Sequence, residues 1–239
     1  GRDEDLGRLA QSVAVFQAEL GLAMDPSAER VTLVTETGRV LDADTLLHAM
    51  VSLWCAADTT SRALAVPLTA SRVVEQIAAQ SGREVIRTGT SRRALSAAGL
   101  LPGVGFAGSR TGGFVFPDFL ASYDAIMTLG MLLHQLDSAG VGLDEVVAGL
   151  PPFSLRHRTV FCPFDRKGAV MRQMAEHGQS RNVEMTEGVR VTEEDGWALV
   201  LPHATEALVD VFVEGESDDA ADEIADNYVA LVERSIAEG

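Results

Sequence analysis

Between Ala63 and Leu136 short apolar runs alternate with amphipathic stretches, and no other feature restricts the fold as much. Ala63–Leu68 reads as a strand. A helix follows that Thr69 or Ser71 can cap, with Val73, Val74, Ile77 and Ala78 on its apolar side and Gly82 as its stop. Glu84–Arg87 reads as a second strand, Ser91 opens another short helix, and Phe114–Phe116 makes a third strand after a glycine-rich loop. Tyr123–Leu136 is predicted helical, with Ile126, Leu129, Leu132 and Leu133 on one face. Strands alternating with helices lead to an α/β layer around a largely parallel sheet, because parallel neighbours need a crossover between them.

On either side of this stretch the order differs. Asp5–Leu22 carries Leu6, Leu9, Ala10, Val13, Phe16 and Leu20 at spacings of three and four, which predicts a helix ended by Gly21. A turn at Asp25-Pro26-Ser27, a strand over Val31–Val34, a turn at Thr37-Gly38 and a helix over Thr45–Ala57, capped by Asp42 or Asp44, follow. Pro151-Pro152 and the basic Arg156-His157-Arg158 read as a linker. Beyond it, a strand near Val160–Phe161, a helix over Lys167–His177, strands near Gly188–Val191, Ala198–Leu201 and Val209–Val213, and a final helix from Asp219 to Ile236 predict a small α+β unit. The acidic run Glu214–Glu223 reads as the solvated, dipole-favoured start of that last helix.

Composition narrows the function classes. At 239 residues, 46% hydrophobic and 23% charged, the chain holds one large domain or two ordinary ones and is not disordered in bulk. The longest apolar run, Ile126–Leu133, is interrupted by Gly130 and falls short of a membrane helix, and no signal peptide is visible. Cys55 and Cys162 are too few and too far apart for a disulfide framework, so a reducing cytoplasm is expected. A net charge of −16 repels nucleic-acid phosphates and anionic lipid, leaving no nucleic acid and no membrane among the expected partners. An anionic substrate then requires a local basic pocket. The start at Gly1 predicts a fragment or processed product.

Three groups of residues could carry chemistry. The Gly103–Gly113 loop allows close backbone approach to a ligand, or is a mobile connection; it fits neither a Walker nor a dinucleotide fingerprint. Arg83, Arg87, Arg92, Arg93 and Arg110 concentrate positive charge that could meet a phosphate, or pair with the surplus acid. Asp25, Ser27 and Glu29 alternate in a turn as oxygen ligands of Mg²⁺ do, or simply cap that turn. The five histidines show no metal spacing, with His48 and His134 expected on helix flanks and His203 in a polar loop.

In this order the pieces resemble the C-terminal half of the α-D-phosphohexomutases, the phosphoglucomutase/phosphomannomutase superfamily. On that resemblance 1–37 is the end of the second domain, 38–155 an α/β/α third domain and 156–239 a small fourth domain with an antiparallel sheet. The first domain, with its phosphoserine nucleophile, lies outside the chain. The family's metal loop, Asp-Gly-Asp-x-Asp-Arg, stands here as Asp25-Pro26-Ser27-Ala28-Glu29-Arg30, and the resemblance implies Asp25, Ser27 and Glu29 as a degenerate metal site beside Arg30. One lost charge and one longer carboxylate imply weak or lost Mg²⁺ binding. The sugar loop, Gly-Gly-Glu-x-Ser-Gly-Gly, stands as Ala107-Gly108-Ser109-Arg110-Thr111-Gly112-Gly113, which implies Ser109, Arg110 and Thr111 as sugar contacts without the glutamate's strong acceptor. Thr88-Gly89-Thr90-Ser91-Arg92-Arg93 resembles Thr-x-Val-Gly-x-Lys and puts Arg93 at the lysine's place. Leu201-Pro202-His203-Ala204-Thr205-Glu206-Ala207 stands for the phosphate loop Arg-Pro-Ser-Gly-Thr-Glu-Pro. It lacks the clamping arginine and keeps His203 and Thr205 as candidate phosphate contacts. The resemblance thus implies a catalytically degenerate sugar-phosphate module, in a setting such as a mannose-1-phosphate guanylyltransferase fusion. The alternative is the C-terminal half of an active hexose-phosphate mutase in which Ser109, Thr111, Arg93 and Arg110 are substitute contacts.

Overall fold

The computed structural model describes residues 2–178 and 183–238, apart from the side chains of residues 2, 3 and 183. The chain divides into two compact units, Gly1–Pro151 and Pro152–Gly239.

The first unit opens with α1 (Arg2–Phe16), then a two-stranded antiparallel ribbon of β1 (Leu20–Met24) and β2 (Val31–Thr35). The helix is therefore shorter than its apolar spacing predicts. Gln17 turns left-handed at φ +52°, and Leu20 and Leu22 pair with Thr35 and Leu33 instead of continuing the helix. Cross-strand partners of this kind are invisible to local periodicity. Next comes α2 (Ala43–Ala57), whose N-cap is Asp42: its carboxylate accepts from the amides of Asp44 and Thr45. Nearly every residue from Thr45 to Cys55 is buried, so α2 is a central helix rather than a surface one. His48, expected on a flank, lies wholly inside.

A four-stranded sheet, in the order β4-β3-β5-β6, lies beside α2. It comprises β3 (Ala63–Pro67), β4 (Val85–Thr88), β5 (Val104–Gly108) and β6 (Phe114–Val115), with α3 (Val73–Gln80) and α4 (Arg92–Gly99) as crossovers between the three parallel strands. The unit closes with α5 (Ala125–Ala139) and α6 (Leu143–Ala148). The first half of the glycine-rich stretch is thus a fully buried strand, not a loop. Its small residues reflect packing: a Cβ on Gly105 would stand 2.8 Å from the Trp54 ring. Phe106 stacks on Trp54 and Phe114 at centroid distances of 5.6 and 6.0 Å, joining helix to sheet.

At the strand-entry end of this sheet Arg83 is buried over the Trp54 ring and pairs with Asp58, which also accepts from Arg62. Burial by itself would raise the Asp58 carboxyl. Hydrogen bonds from Thr60, Arg62 and Arg83 outweigh it and bring the pKa to about 2.

The second unit is a five-stranded antiparallel sheet in the order β7-β11-β10-β9-β8. Its strands are β7 (Ser154–Phe161), β8 (Val183–Met185), β9 (Val189–Glu193), β10 (Gly196–Pro202) and β11 (Leu208–Gly215). Two helices, α7 (Lys167–His177) and α8 (Asp218–Glu238), cover it. Val170, Met174, Ala225, Tyr228 and Val232 meet the inner face made by Val189, Val191, Val200, Val209, Val211 and Val213. Arg156-His157-Arg158 is strand, not linker. Its outer side chains answer the acidic run, Arg156 pairing with Asp218 and Asp222 and Arg158 with Asp222, while His157 pairs with Asp210. Part of that run is therefore neutralised within the unit rather than merely solvated.

Candidate functional site

In the first unit three loops meet. The turn between β1 and β2 carries Asp25–Arg30, the β5–β6 connection carries Ser109–Gly113, and the β4–α4 loop leads into Arg92 and Arg93 at the start of α4. The second and third follow the exit ends of parallel strands, where an α/β sheet leaves its loops free to converge.

Asp25 organises the first turn from within. Its Oδ1 accepts from the amides of Glu29 and Arg30 at 2.8 and 3.0 Å, and its Oδ2 accepts from the Ser27 hydroxyl at 2.9 Å. The Arg30 amide first, with the Glu29 amide and Ser27 assisting, holds the Asp25 carboxyl below the usual carboxylate range against an opposing push from burial. Ala28, left-handed at φ +53°, offers its carbonyl to the Ala125 amide at 2.9 Å, which ties the turn to the start of α5. Glu29 pairs across the site with Arg92. Both carboxylates thus have partners of their own. Among the described residues no group of three or more His, Cys, Asp or Glu is placed to hold a metal ion.

The sugar-loop counterpart is bound to the same turn. Arg30 Nε donates to Thr111 Oγ1 at 3.2 Å, the Val31 amide donates to the Gly112 carbonyl at 2.9 Å, and Arg30 lies 5.8 Å from the Tyr123 ring centre. Ser109 is buried, 2.6 Å from the Thr111 hydroxyl, and hydrogen-bonds with Tyr123. Burial raises the Tyr123 pKa, with Ser109 and the nearby Arg30 and Arg92 pulling the other way. The two closing glycines answer to the protein itself. A Cβ on Gly112, at φ +82°, would stand 2.2 Å from the Val31 carbonyl oxygen, and one on Gly113 would stand 2.3 Å from the Tyr123 ring. A cleft of about 460 Å³ opens beside this junction, with Asp25, Arg30, Arg110 and Thr111 on its wall.

The five arginines do not converge as a group. Arg83 is held by Asp58, Arg87 by Glu75 and the carbonyls of Pro67, Ala70 and Ser71, Arg92 by Glu29, and Arg110 by a two-pronged contact with Asp44. Arg93 differs: it is exposed on the first turn of α4 and has no partner among the described residues. Tyr123 and Asp44 escaped the sequence reading, since their roles depend on which loop folds over them.

In the second unit the candidate phosphate loop joins β10 to β11. The His203 amide donates to the Leu208 carbonyl at 3.1 Å, and the Glu206 amide donates to His203 Nδ1 at 3.1 Å. Ala204 and Thr205 form its exposed tip. Lys167, read from sequence only as a helix start, donates to the carbonyls of His203 and Glu206.

Comparison with known proteins gives a consistent set of relatives. The family described as phosphoglucomutase/phosphomannomutase, alpha/beta/alpha domain III, matches residues 42–153. A probable phosphoglucosamine mutase of Methanopyrus kandleri is 32% identical over 239 residues, 99% of this chain and 53% of the relative. A phosphoglucomutase/phosphomannomutase family protein of Burkholderia thailandensis shares the fold at a TM-score of 0.81 and 20% identity, covering 97% of this chain and 50% of that one. N-acetylphosphoglucosamine mutase of Aspergillus fumigatus, solved with GlcNAc-6P and magnesium, matches at a TM-score of 0.65 and 17% identity over 88% of this chain and 51% of that one. The chain therefore spans about half the length of the relatives it matches. Residues 42–153 thus match domain III of the phosphoglucomutase/phosphomannomutase family, and nearly the whole chain is similar in sequence and fold to about half the length of phosphohexomutases.

Proposed function

We propose that this chain is the sugar-phosphate-binding C-terminal half of a hexose-phosphate mutase, acting on a substrate that is converted between its 1-phosphate and 6-phosphate forms. In this reading 1–37 is the end of a second domain, 38–155 the third and 156–239 the fourth. The observation that carries it is the meeting of three loops at Arg30, Thr111 and the Glu29–Arg92 pair, with Arg93, exposed and without a partner among the described residues, next to Arg92 in the chain. The name of the Methanopyrus relative makes glucosamine phosphate the first substrate to try. Thr111 and Arg30 face the sugar, and Arg93 supplies positive charge. His203 and Thr205 contact phosphate, while the nucleophilic phosphoserine comes from a domain outside this chain. Magnesium binds weakly, because Asp25 and Glu29 are held by amides and by Arg92.

Titrating glucosamine 6-phosphate into the 239-residue chain by calorimetry tests the binding role. Arg93→Ala is expected to weaken binding about tenfold without moving the melting temperature, since it removes an exposed charge from an anion contact. A wild-type chain that melts normally and shows no heat of binding would overturn the reading. One observation favours a second reading, a catalytically degenerate module retained for assembly or regulation: Leu201 stands where the family's arginine clamps phosphate. An assay of the full-length protein for mutase turnover separates the two, because binding without turnover leaves only the second.

A further inference from the structure

The loss of the clamping arginine at Leu201 leaves the 203–206 loop without its expected cation. A cation does reach that loop: Lys167, at the start of α7. Its ammonium donates to two carbonyl oxygens of the same loop, those of His203 and Glu206, and lies 4.4 Å from the Phe164 ring centre. Those two carbonyls bracket the tip. The tip residues between them, Ala204 and Thr205, are exposed. A second contact lies within the loop. His203 Nδ1 accepts from the Glu206 amide at 3.1 Å, so a neutral His203 ring carries its proton on Nε2 and presents a donor rather than an acceptor.

We propose that Lys167 is the positioning residue of this phosphate loop, holding it open-handed toward an anion and supplying the positive charge that Leu201 no longer can. The inference rests on the sugar-phosphate reading given above, but assigns a role to a residue on a different element. An ammonium placed on backbone carbonyls contributes in two ways. It fixes the loop through charge-assisted hydrogen bonds, and it sets a positive potential beside the Thr205 hydroxyl and the tip amides. Neither Phe164, which covers the lysine from the side, nor the polar loop side chains can replace that charge.

The test is a titration of inorganic phosphate, then glucosamine 6-phosphate, into the ¹⁵N-labelled chain, following the Thr205 amide resonance. Lys167→Met keeps the aliphatic stem and removes the charge and donors. It is expected to weaken the phosphate response about tenfold, the size of one lost charge-assisted contact. Lys167→Gln keeps a donor without charge and is expected to recover the loop's amide shifts but not the affinity. Lys167→Arg is expected to restore most of both. Equal affinity in wild type and Lys167→Met overturns the role of Lys167 while leaving the functional reading intact. A merely structural lysine is indicated by a lowered melting temperature in Lys167→Met with affinity unchanged in Lys167→Gln, and that too overturns the proposal. Absence of any phosphate response in the folded wild-type chain instead overturns the functional reading, and this one with it.

Discussion

The two loops that resemble ligand loops are built in opposite ways. In the first unit, Ser109–Gly113 is turned inward: Ser109 bonds to Thr111 and Tyr123, Arg110 is held by Asp44, and both glycines lie against other parts of the chain. In the second, His203–Glu206 is held by Lys167 and by contacts within the loop itself, and leaves Ala204 and Thr205 exposed at the tip. A glycine-rich loop and a polar loop look equally available in a sequence. The difference lies in whether their donors and their free space already belong to the protein.

One of the two largest expected effects breaks the inward loop. Gly112→Ala places a methyl group 2.2 Å from a backbone oxygen at a positive φ, so overpacking and left-handed strain add to a loss of about 2–5 kcal/mol. Urea denaturation measures it, and a loss under about 1 kcal/mol contradicts the claim that this glycine serves packing.

Next comes the ion pair at the other end of the same sheet. Asp58→Asn leaves buried Arg83 without its counter-charge and is expected to cost about 3–5 kcal/mol. The pH dependence has a definite sign. The folded pKa is lowered to about 2 from an ordinary 3.8, so the native state binds fewer protons than the unfolded one. Its contribution is present in full above about 3.8 and disappears as pH falls toward 2. Thermal melts across that window should show a slope in the wild type that Asp58→Asn lacks.

Arg110→Ala sharpens the comparison at smaller scale. Removing the two-pronged Asp44 contact of a mostly buried guanidinium is expected to cost about 1–3 kcal/mol, with little change in sugar-phosphate affinity. If affinity collapses while the melting temperature holds, Arg110 belongs to the ligand and the first loop is not inward at all. The smallest effect is reserved for the outward loop. Thr205→Val is expected to leave the melting curve in place, since this exposed side chain has no hydrogen-bond partner among the described residues, and to reduce phosphate affinity only a few-fold, by about one hydrogen bond.

Much of this architecture could be read from local pattern. The α/β alternation, Ser91 as a cap, Asp42 as one of two candidate caps, and the strand-rich second unit all follow from periodicities and turn residues that act within a few positions. Where local pattern was insufficient, a distant partner decided. Leu20–Met24 is strand because β2 pairs with it, and Val104–Gly108 is strand because α2 and its neighbours close over a backbone that bears little side chain. Arg156–Arg158 is strand because β11 supplies its ladder.

The sequence by itself determined which loops exist and which residue types they carry: the acidic turn at 25–30, the small-residue loop at 107–113 and the polar loop at 201–207 that opens on Leu201. Only the tertiary structure decided what those residues are free to do. It gave Glu29 to Arg92 and Arg110 to Asp44, set Tyr123 behind Ser109, left Arg93 without a partner among the described residues, and brought Lys167 under the loop. The physical reason is that charge and hydrogen-bonding capacity are properties of a residue, whereas their availability to a ligand depends on partners 36 to 81 positions away along the chain.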